Sequence, residues 1–247
     1  MLTREKIIVL FAALLIVAAL VLLSSGCERE KPMTDKTAPV SGQMVIPLPR
    51  PKLESATSVE KALRERRSHR DYGTGPLSLE EIAQLLWAAQ GITHGRGMRT
   101  APSAGALYPL ETYVVAGDIR NLPAGVYRYL PDRHGLALVR SGDVRRKLRE
   151  ASLHQDPVCS APATVVFSAV FARSTGKYGK RGVRYAHMEA GTAAQNVALQ
   201  AVSLNLGTVV IGAFDDDDVR NVLSLPGTED PMIIMPVGRM RAVSSGQ

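Results

Sequence analysis

Four short stretches of this 247-residue chain carry groups suited to holding an anion and a flat ligand. Arg66, Arg67, Ser68 and Arg70 lie together, and guanidinium forks beside a hydroxyl bind phosphate through charge-assisted hydrogen bonds. The same cluster also suits a solvated helix C-terminus, where cations meet the negative end of the helix dipole. Pro102, Ser103, Ala104 and Gly105 close a glycine-rich stretch and are small enough for backbone to approach a planar ligand, though they fit an ordinary turn equally well. Gly212 and Ala213 follow an apolar run and leave backbone N–H groups uncovered, which suits a ligand that gains electron density. Arg239, after Gly238, offers a second clamp on an anion. The acidic run Asp215 to Asp218 lacks the alternating ligand spacing of a calcium loop, and helix capping with a solvated surface accounts for it.

Only a fold can join residues so far apart in the chain. A helix is expected from Thr57 to about Arg67, with Val59 and Leu63 on related faces and Glu60 three residues after the cap. Ser78 and Glu81 form a capping box before Ile82, Leu85, Leu86 and Ala89 at helical spacing, and Gly91 is the stop. Gly91 to Gly105 reads as a loop. Leu110 to Ala116 reads as a strand, and Val126 to Leu130 with Leu136 to Arg140 as a hairpin. A charged helix from Asp143 to about His154 and a buried strand from Ala163 to Val170 follow.

The longest helix is expected from Arg184 to Leu206, ended by Gly207. Met188, Gly191, Ala194, Val197, Ala198, Ala201 and Leu204 fall on or near one face, so another helix can approach closely, from the same chain or from a second subunit. Thr208 to Ile211 is a short strand, Asp216 or Asp217 caps a helix through Leu223, and Met232 to Val237 is the last strand. Strands and helices mix without βαβ repetition, which predicts an α+β fold and no doubly wound sheet.

Composition narrows the function classes. Hydrophobic residues are 45% and charged residues 21%, which requires a folded body and excludes collagen-like, coiled-coil and disordered readings. The net charge is +7, yet aromatic residues are only 5% and no long Lys/Arg run occurs, so no nucleic-acid partner is expected. Cys27 and Cys159 are too few for a disulfide scaffold or a cysteine-rich zinc site, and no metal site is expected. The dinucleotide, P-loop and zinc-protease signatures are absent.

Residues 1–26 carry Arg4 and Lys6 before an uncharged run from Ile7 to Gly26, long enough to span a bilayer as a helix. Leu23, Ser25, Gly26 and Cys27 resemble a bacterial lipoprotein junction, although that pattern's commonest leucine position is occupied by Ser24. The expectation is an exported protein tethered to a membrane, through a lipidated Cys27 or through an uncleaved helix. Residues 27–55 are rich in proline and read as a tether, in which Met44 to Leu48 can dock as an edge strand. The folded domain is placed at 56–247.

RRSHRDY from Arg66, APSAGALYPLE from Ala101, RYAHMEAGTAAQN from Arg184, GTVVIGAFDDDDV from Gly207 and PVGR from Pro236 together resemble the nitroreductase superfamily of flavin enzymes. The likeness covers Thr57 to Arg239 and is to the branch related to azoline dehydrogenases, because SAGALYP replaces the asparagine found in the classical nitroreductases. It implies a mixed sheet flanked by helices, an FMN cofactor and a homodimer with the flavin between subunits. It further implies that Arg66, Ser68, Arg70 and Arg239 surround the phosphate and the polar flavin edge. Pro102, Ser103, Ala104 and Gly105 then flank ribityl or ring atoms, and Gly212 and Ala213 approach N5 and O4. Activity is expected as hydride transfer through flavin N5 from a reduced pyridine nucleotide, small molecule or peptide. The alternative is a non-catalytic flavin-binding accessory or sensor lipoprotein. Tyr108, Tyr178, Tyr185, His187 and Glu189 are candidate substrate-side polar groups, and no catalytic acid or base is named.

Overall fold

The computed structural model describes residues 45–241, so Cys27, the apolar run and residues 27–44 of the tether lie outside the described residues. Strands β1 (Val45–Pro47), β2 (Tyr72–Gly73), β5 (Leu110–Ala116), β6 (Gly125–Leu130), β7 (Gly135–Ser141), β8 (Ala163–Ala169), β9 (Leu206–Thr208) and β10 (Asp230–Met240) form an eight-stranded sheet. Its order is β1-β7-β6-β5-β8-β10-β2, with β9 also on β10. The named strand pairs are antiparallel, while single parallel bridges join Ser68 to Thr208 and Leu77 to Ile119. The expected mixed sheet is therefore observed.

Both faces of the sheet are covered, which explains its nearly continuous apolar strands. Along β5, Val114 and Ala116 point into one core, and Tyr113 and Val115 into the other, as the two-residue strand period requires. The first core is closed by α2 (Leu79–Gln90) and α6 (Arg181–Ser203), and the second by α3 (Arg145–Ala151), α4 (Asp156–Ser160) and α7 (Asp216–Leu223). Each fully buried Val, Leu or Phe in such a core contributes about 1.5–3 kcal/mol.

The capping box of α2 forms as expected: Ser78 accepts from the Glu81 amide, and Glu81 accepts from the Ser78 amide at 2.8 Å. Gly91 follows it directly. Helix α1 (Val59–Glu65) is capped by Ser58 rather than Thr57, and Val59 and Leu63 are exposed, so only Ala62 of this helix is buried. A small hairpin, β3 (Ile92–His94) with β4 (Met98–Arg99), occupies part of the expected loop. Helix α5 (Phe171–Tyr178) has no counterpart in the sequence reading. Its two-faced character is carried by one buried residue, Ser174, and apolar periodicity does not reveal it.

Helix α6 begins and ends three residues earlier than expected. Asn205, at φ 55°, turns the chain, and Gly207 lies within β9 instead of stopping the helix. Ile211 makes one bridge to Ile234 rather than continuing a strand, and Asp215 caps α7 in place of Asp216 or Asp217. The end of the segment read as tether is docked: β1 pairs with β7, and the Lys52 backbone exchanges hydrogen bonds with the Gln84 amide.

Candidate functional site

The arginine motif is laid against the sheet by two glycines and one tyrosine. Ser68 bridges Thr208, and the His69 amide donates to the Thr208 carbonyl at 2.9 Å. A Cβ on Gly207 would stand 2.8 Å from the His69 Cβ, and one on Gly238 would stand 2.7 Å from the Tyr72 ring. Their absence lets the 68–72 segment approach β9 and β10. The Tyr72 hydroxyl then sits between the His69 carbonyl, at 2.9 Å, and the Pro236 carbonyl, at 3.1 Å. Ser68, Thr208 and Val237 thus lie side by side across neighbouring backbone segments.

The four basic side chains expected at an anion part company here. Arg67 donates to the carbonyls of Arg64 and Arg66 and serves the end of α1. Arg239 forms a bidentate pair with Glu81, at 2.5 and 2.8 Å, and also donates to the Pro76 carbonyl. Its fork is therefore given to the start of α2, where the sequence reading gave it to an anion. Among the described residues, Arg66 and Arg70 have no ion-pair partner, and Ser68 is exposed between them. Four residues beyond Thr208, Gly212 and Ala213 are exposed, and a Cβ on Gly212 would meet nothing within 4 Å. The Ala213 carbonyl accepts from Gln155 at 2.8 Å, which fixes the peptide.

Pro102, Ser103, Ala104 and Gly105 form a second group with α5 and α6. Gly105 has φ +64°, and a Cβ there would stand 2.7 Å from the Tyr178 hydroxyl and 3.5 Å from Lys177 Nζ. The left-handed backbone favours glycine, and a Cβ there would have to displace the Tyr178 hydroxyl. Ala106 and Tyr108 also have positive φ. The loop is held by the Tyr108 amide donating to Ser103 Oγ at 2.9 Å and by Arg173 donating to the Tyr108 carbonyl at 2.9 Å. Arg99 lies 4.4 Å from the Tyr108 ring centroid. Arg173 also pairs with Glu111 at 2.5 Å, and Arg128 meets the same buried carboxylate at 2.7 Å.

The substrate-side candidates converge beside this loop. Tyr178 and Tyr185 stack edge to face at 5.1 Å, Phe171 lies 5.7 Å from His187, and Glu189 is buried near Ser103. Burial pushes the Glu189 carboxyl up to about 7, against the opposing pull of Ser103, Arg99, Gln90 and Arg173. Sequence reasoning missed Gln90, Arg99, Arg173 and Lys177. Arg173 and Lys177 belong to the helix that periodicity does not reveal, and Arg99 belongs to a hairpin inside a glycine-rich loop.

Comparison with known proteins gives the same fold. The model of the Nitroreductase family matches residues 63–239. MJ1384 of Methanocaldococcus jannaschii, named for nitroreductase, is 46% identical over 181 residues, covering 73% of this chain and 90% of its own. The microcin B17-processing protein McbC of Escherichia coli is 31% identical, over 66% of this chain and 62% of McbC. A solved structure from Ralstonia eutropha, also named for nitroreductase, superposes with a TM-score of 0.72 at 33% identity, covering 83% of this chain and 94% of that one. A chain of the E. coli microcin synthetase McbBCD complex, with truncated pro-MccB17 bound, superposes with a TM-score of 0.63 at 27% identity, over 78% and 77% of the two chains.

Proposed function

The chain belongs to the nitroreductase family of oxidoreductases, and from that premise we propose that it is an FMN-dependent enzyme. The observation that carries the proposal is the pair of guanidinium groups, Arg66 and Arg70, which have no ion-pair partner among the described residues and flank exposed Ser68 on the segment beside β9. Two cations with a hydroxyl between them fit a phosphate monoester. The open backbone at Gly212 and Ala213, and the small-residue turn at Pro102 to Gly105, fit a flat ring that needs backbone donors at its edge.

When bound, FMN supplies hydride chemistry at N5, taking two electrons from a donor and releasing them to an acceptor. Arg66, Ser68 and Arg70 hold its phosphate. Ser103, Ala104 and Gly105 border the ring or ribityl chain, and the amides of Gly212 and Ala213 donate to its edge. Arg239 reaches the phosphate only by leaving Glu81; otherwise it positions the start of α2.

The site residues fall into two groups, one on the segment beside β9 with Gly212 and Ala213, the other on the Pro102 to Gly105 turn beside α5 and α6. A homodimer in which both protomers contribute to each flavin completes the site. The exposed apolar side chains Val59, Leu63 and Met188 support that assembly. A dehydrogenase acting on a peptide is favoured by the likeness to McbC and its peptide-bound complex, while reduced pyridine nucleotide is the second donor class. The basic start, the apolar run and the Ser25-Gly26-Cys27 junction support tethering to a membrane from outside the cytoplasm.

The test is an anaerobic titration of the FMN-reconstituted chain, following flavin absorbance as NADH, NADPH and azoline-containing peptides are added in turn. Bleaching by one donor, and recovery with an acceptor, is the expected result. Tight FMN binding without reduction by any of them would favour a flavin-binding accessory protein. Absence of FMN binding by the folded chain would overturn the proposal.

A further inference from the structure

The backbone from Ile211 to Asp215 is tied down at both ends and in the middle. Ile211 and Ile234 exchange both backbone hydrogen bonds at 2.9 Å, and the Asp215 amide donates to the Ala151 carbonyl at 2.9 Å. Between those ends Gln155 supplies the side-chain contact: its Nε2 donates to the Ala213 carbonyl at 2.8 Å and to the Ser152 carbonyl at 3.0 Å. Both neighbours are acceptors, so only the NH₂ end of the glutamine fits there. Gln155 is itself held. Left-handed backbone at Leu153 and His154, φ 53° and 58°, turns the chain back after α3, and the Gln155 amide closes that turn on the Ser152 carbonyl at 3.2 Å. Ser152 is fully buried, and its hydroxyl donates to the Leu148 carbonyl at 2.7 Å.

The contact governs which way a run of donors faces. Among the described residues, the amides of Gly212, Ala213 and Phe214 donate to no protein acceptor. In a trans peptide the C=O and N–H point to opposite sides, so a carbonyl of Ala213 held on Gln155 turns the Phe214 amide away from that side chain. Without the glutamine the 213–214 peptide is free to rotate and to present an electron-rich carbonyl where the N–H stood.

We propose that Gln155 is a positioning residue that sets the redox balance of the bound flavin by fixing the peptide between Ala213 and Phe214. That role rests on Gly212 and Ala213 being flavin contacts, as proposed above. A reduced ring carries more electron density than an oxidised one, so ordered N–H donors stabilise the reduced form more. Loss of their order weakens the reduced form selectively.

The experiment is a spectroelectrochemical titration of the FMN-loaded full chain, with fluorescence titration of oxidised FMN alongside, in the natural chain and in Gln155→Met, which keeps the length and removes the donor. Affinity for oxidised FMN should be nearly unchanged, and affinity for the reduced form should fall about tenfold, which moves the midpoint potential about 30 mV more negative for a two-electron couple. A merely structural role weakens both forms alike and leaves the potential where it was; that result would overturn the proposal. Hydrogen exchange on the natural chain gives a second arm: FMN should raise the protection of the 212–214 amides about tenfold, and no gain there would overturn the proposal even where Gln155→Met fails to fold. A natural chain that binds no FMN overturns the flavin reading and this role with it, whereas FMN binding with an unmoved potential in Gln155→Met overturns this role alone.

Discussion

At the scale of the residue, two arginines of one proposed site have different electrostatic circumstances. Among the described residues Arg66 has no carboxylate partner, so Arg66→Ala should weaken FMN by roughly tenfold to a hundredfold, the worth of about 1.5–3 kcal/mol for a charged hydrogen bond. Riboflavin, lacking the phosphate, should lose little. Arg239 is engaged with Glu81, so Arg239→Ala should weaken FMN and riboflavin alike, and fluorescence titration with the two flavins separates the cases. Glu189 makes one contribution to the pH dependence of stability. Between about pH 4.5 and 7 the folded chain holds a proton that the unfolded chain releases, so stability falls as pH rises through that window and is level above it. Glu189→Gln removes that slope; denaturant unfolding should find the variant about 2–3 kcal/mol more stable than the natural chain at pH 8 and nearly equal at pH 4.5. Of this chemistry, the glycines and arginines were legible as residue types. The arginines' partners were not, because Glu81 and Arg239 meet only when α2 is brought to the end of β10.

At the scale of the element, helices with strong local signals matched their reading, and those positioned by tertiary contact did not. The α2 capping box is complete within four residues, so sequence reveals it. Helix α5 buries Ser174 against α6, and a Cβ on Gly182 would stand 2.6–2.7 Å from backbone atoms of Ser174 and Thr175. Gly182→Ala must therefore push the two helices apart. We expect about 1–3 kcal/mol of destabilisation by thermal or denaturant unfolding, together with altered placement of Tyr178 beside Gly105. The small-residue face of α6 illustrates the limit of periodicity. Ala194, Val197, Ala198 and Ala201 pack into the chain's own core, whereas Met188 is exposed and Gly191 faces open space. Of the two uses that the small-residue face left open, Ala194 serves packing within the chain, and the sequence could not separate them because both favour the same small side chains.

At the scale of the whole molecule, Val59, Leu63 and Met188 leave apolar area in water that a second copy of the chain would cover. Sedimentation across a concentration series should find a dimer, and Leu63→Glu should shift it toward monomer and lower FMN occupancy with it. A monomer with full FMN occupancy would reject the shared site. Membrane-extracted protein should carry a lipidated Cys27 at its N-terminus, since several acyl chains anchor far more durably than one. Intact Met1 on the mature chain would instead support the uncleaved helix. Among the described residues, no helix is long and apolar enough to cross a membrane.

The sequence by itself determined the α+β class, most strands, the capped helix α2 and the family resemblance, because alternation, capping and short motifs act over a few residues. Tertiary structure alone decided which cations remained available for an anion, which face of α6 met the core, and which groups enclosed Glu189. Each of those outcomes depends on burial and pairing between elements distant in the chain, and burial sets both the cost of a charge and the partner that offsets it.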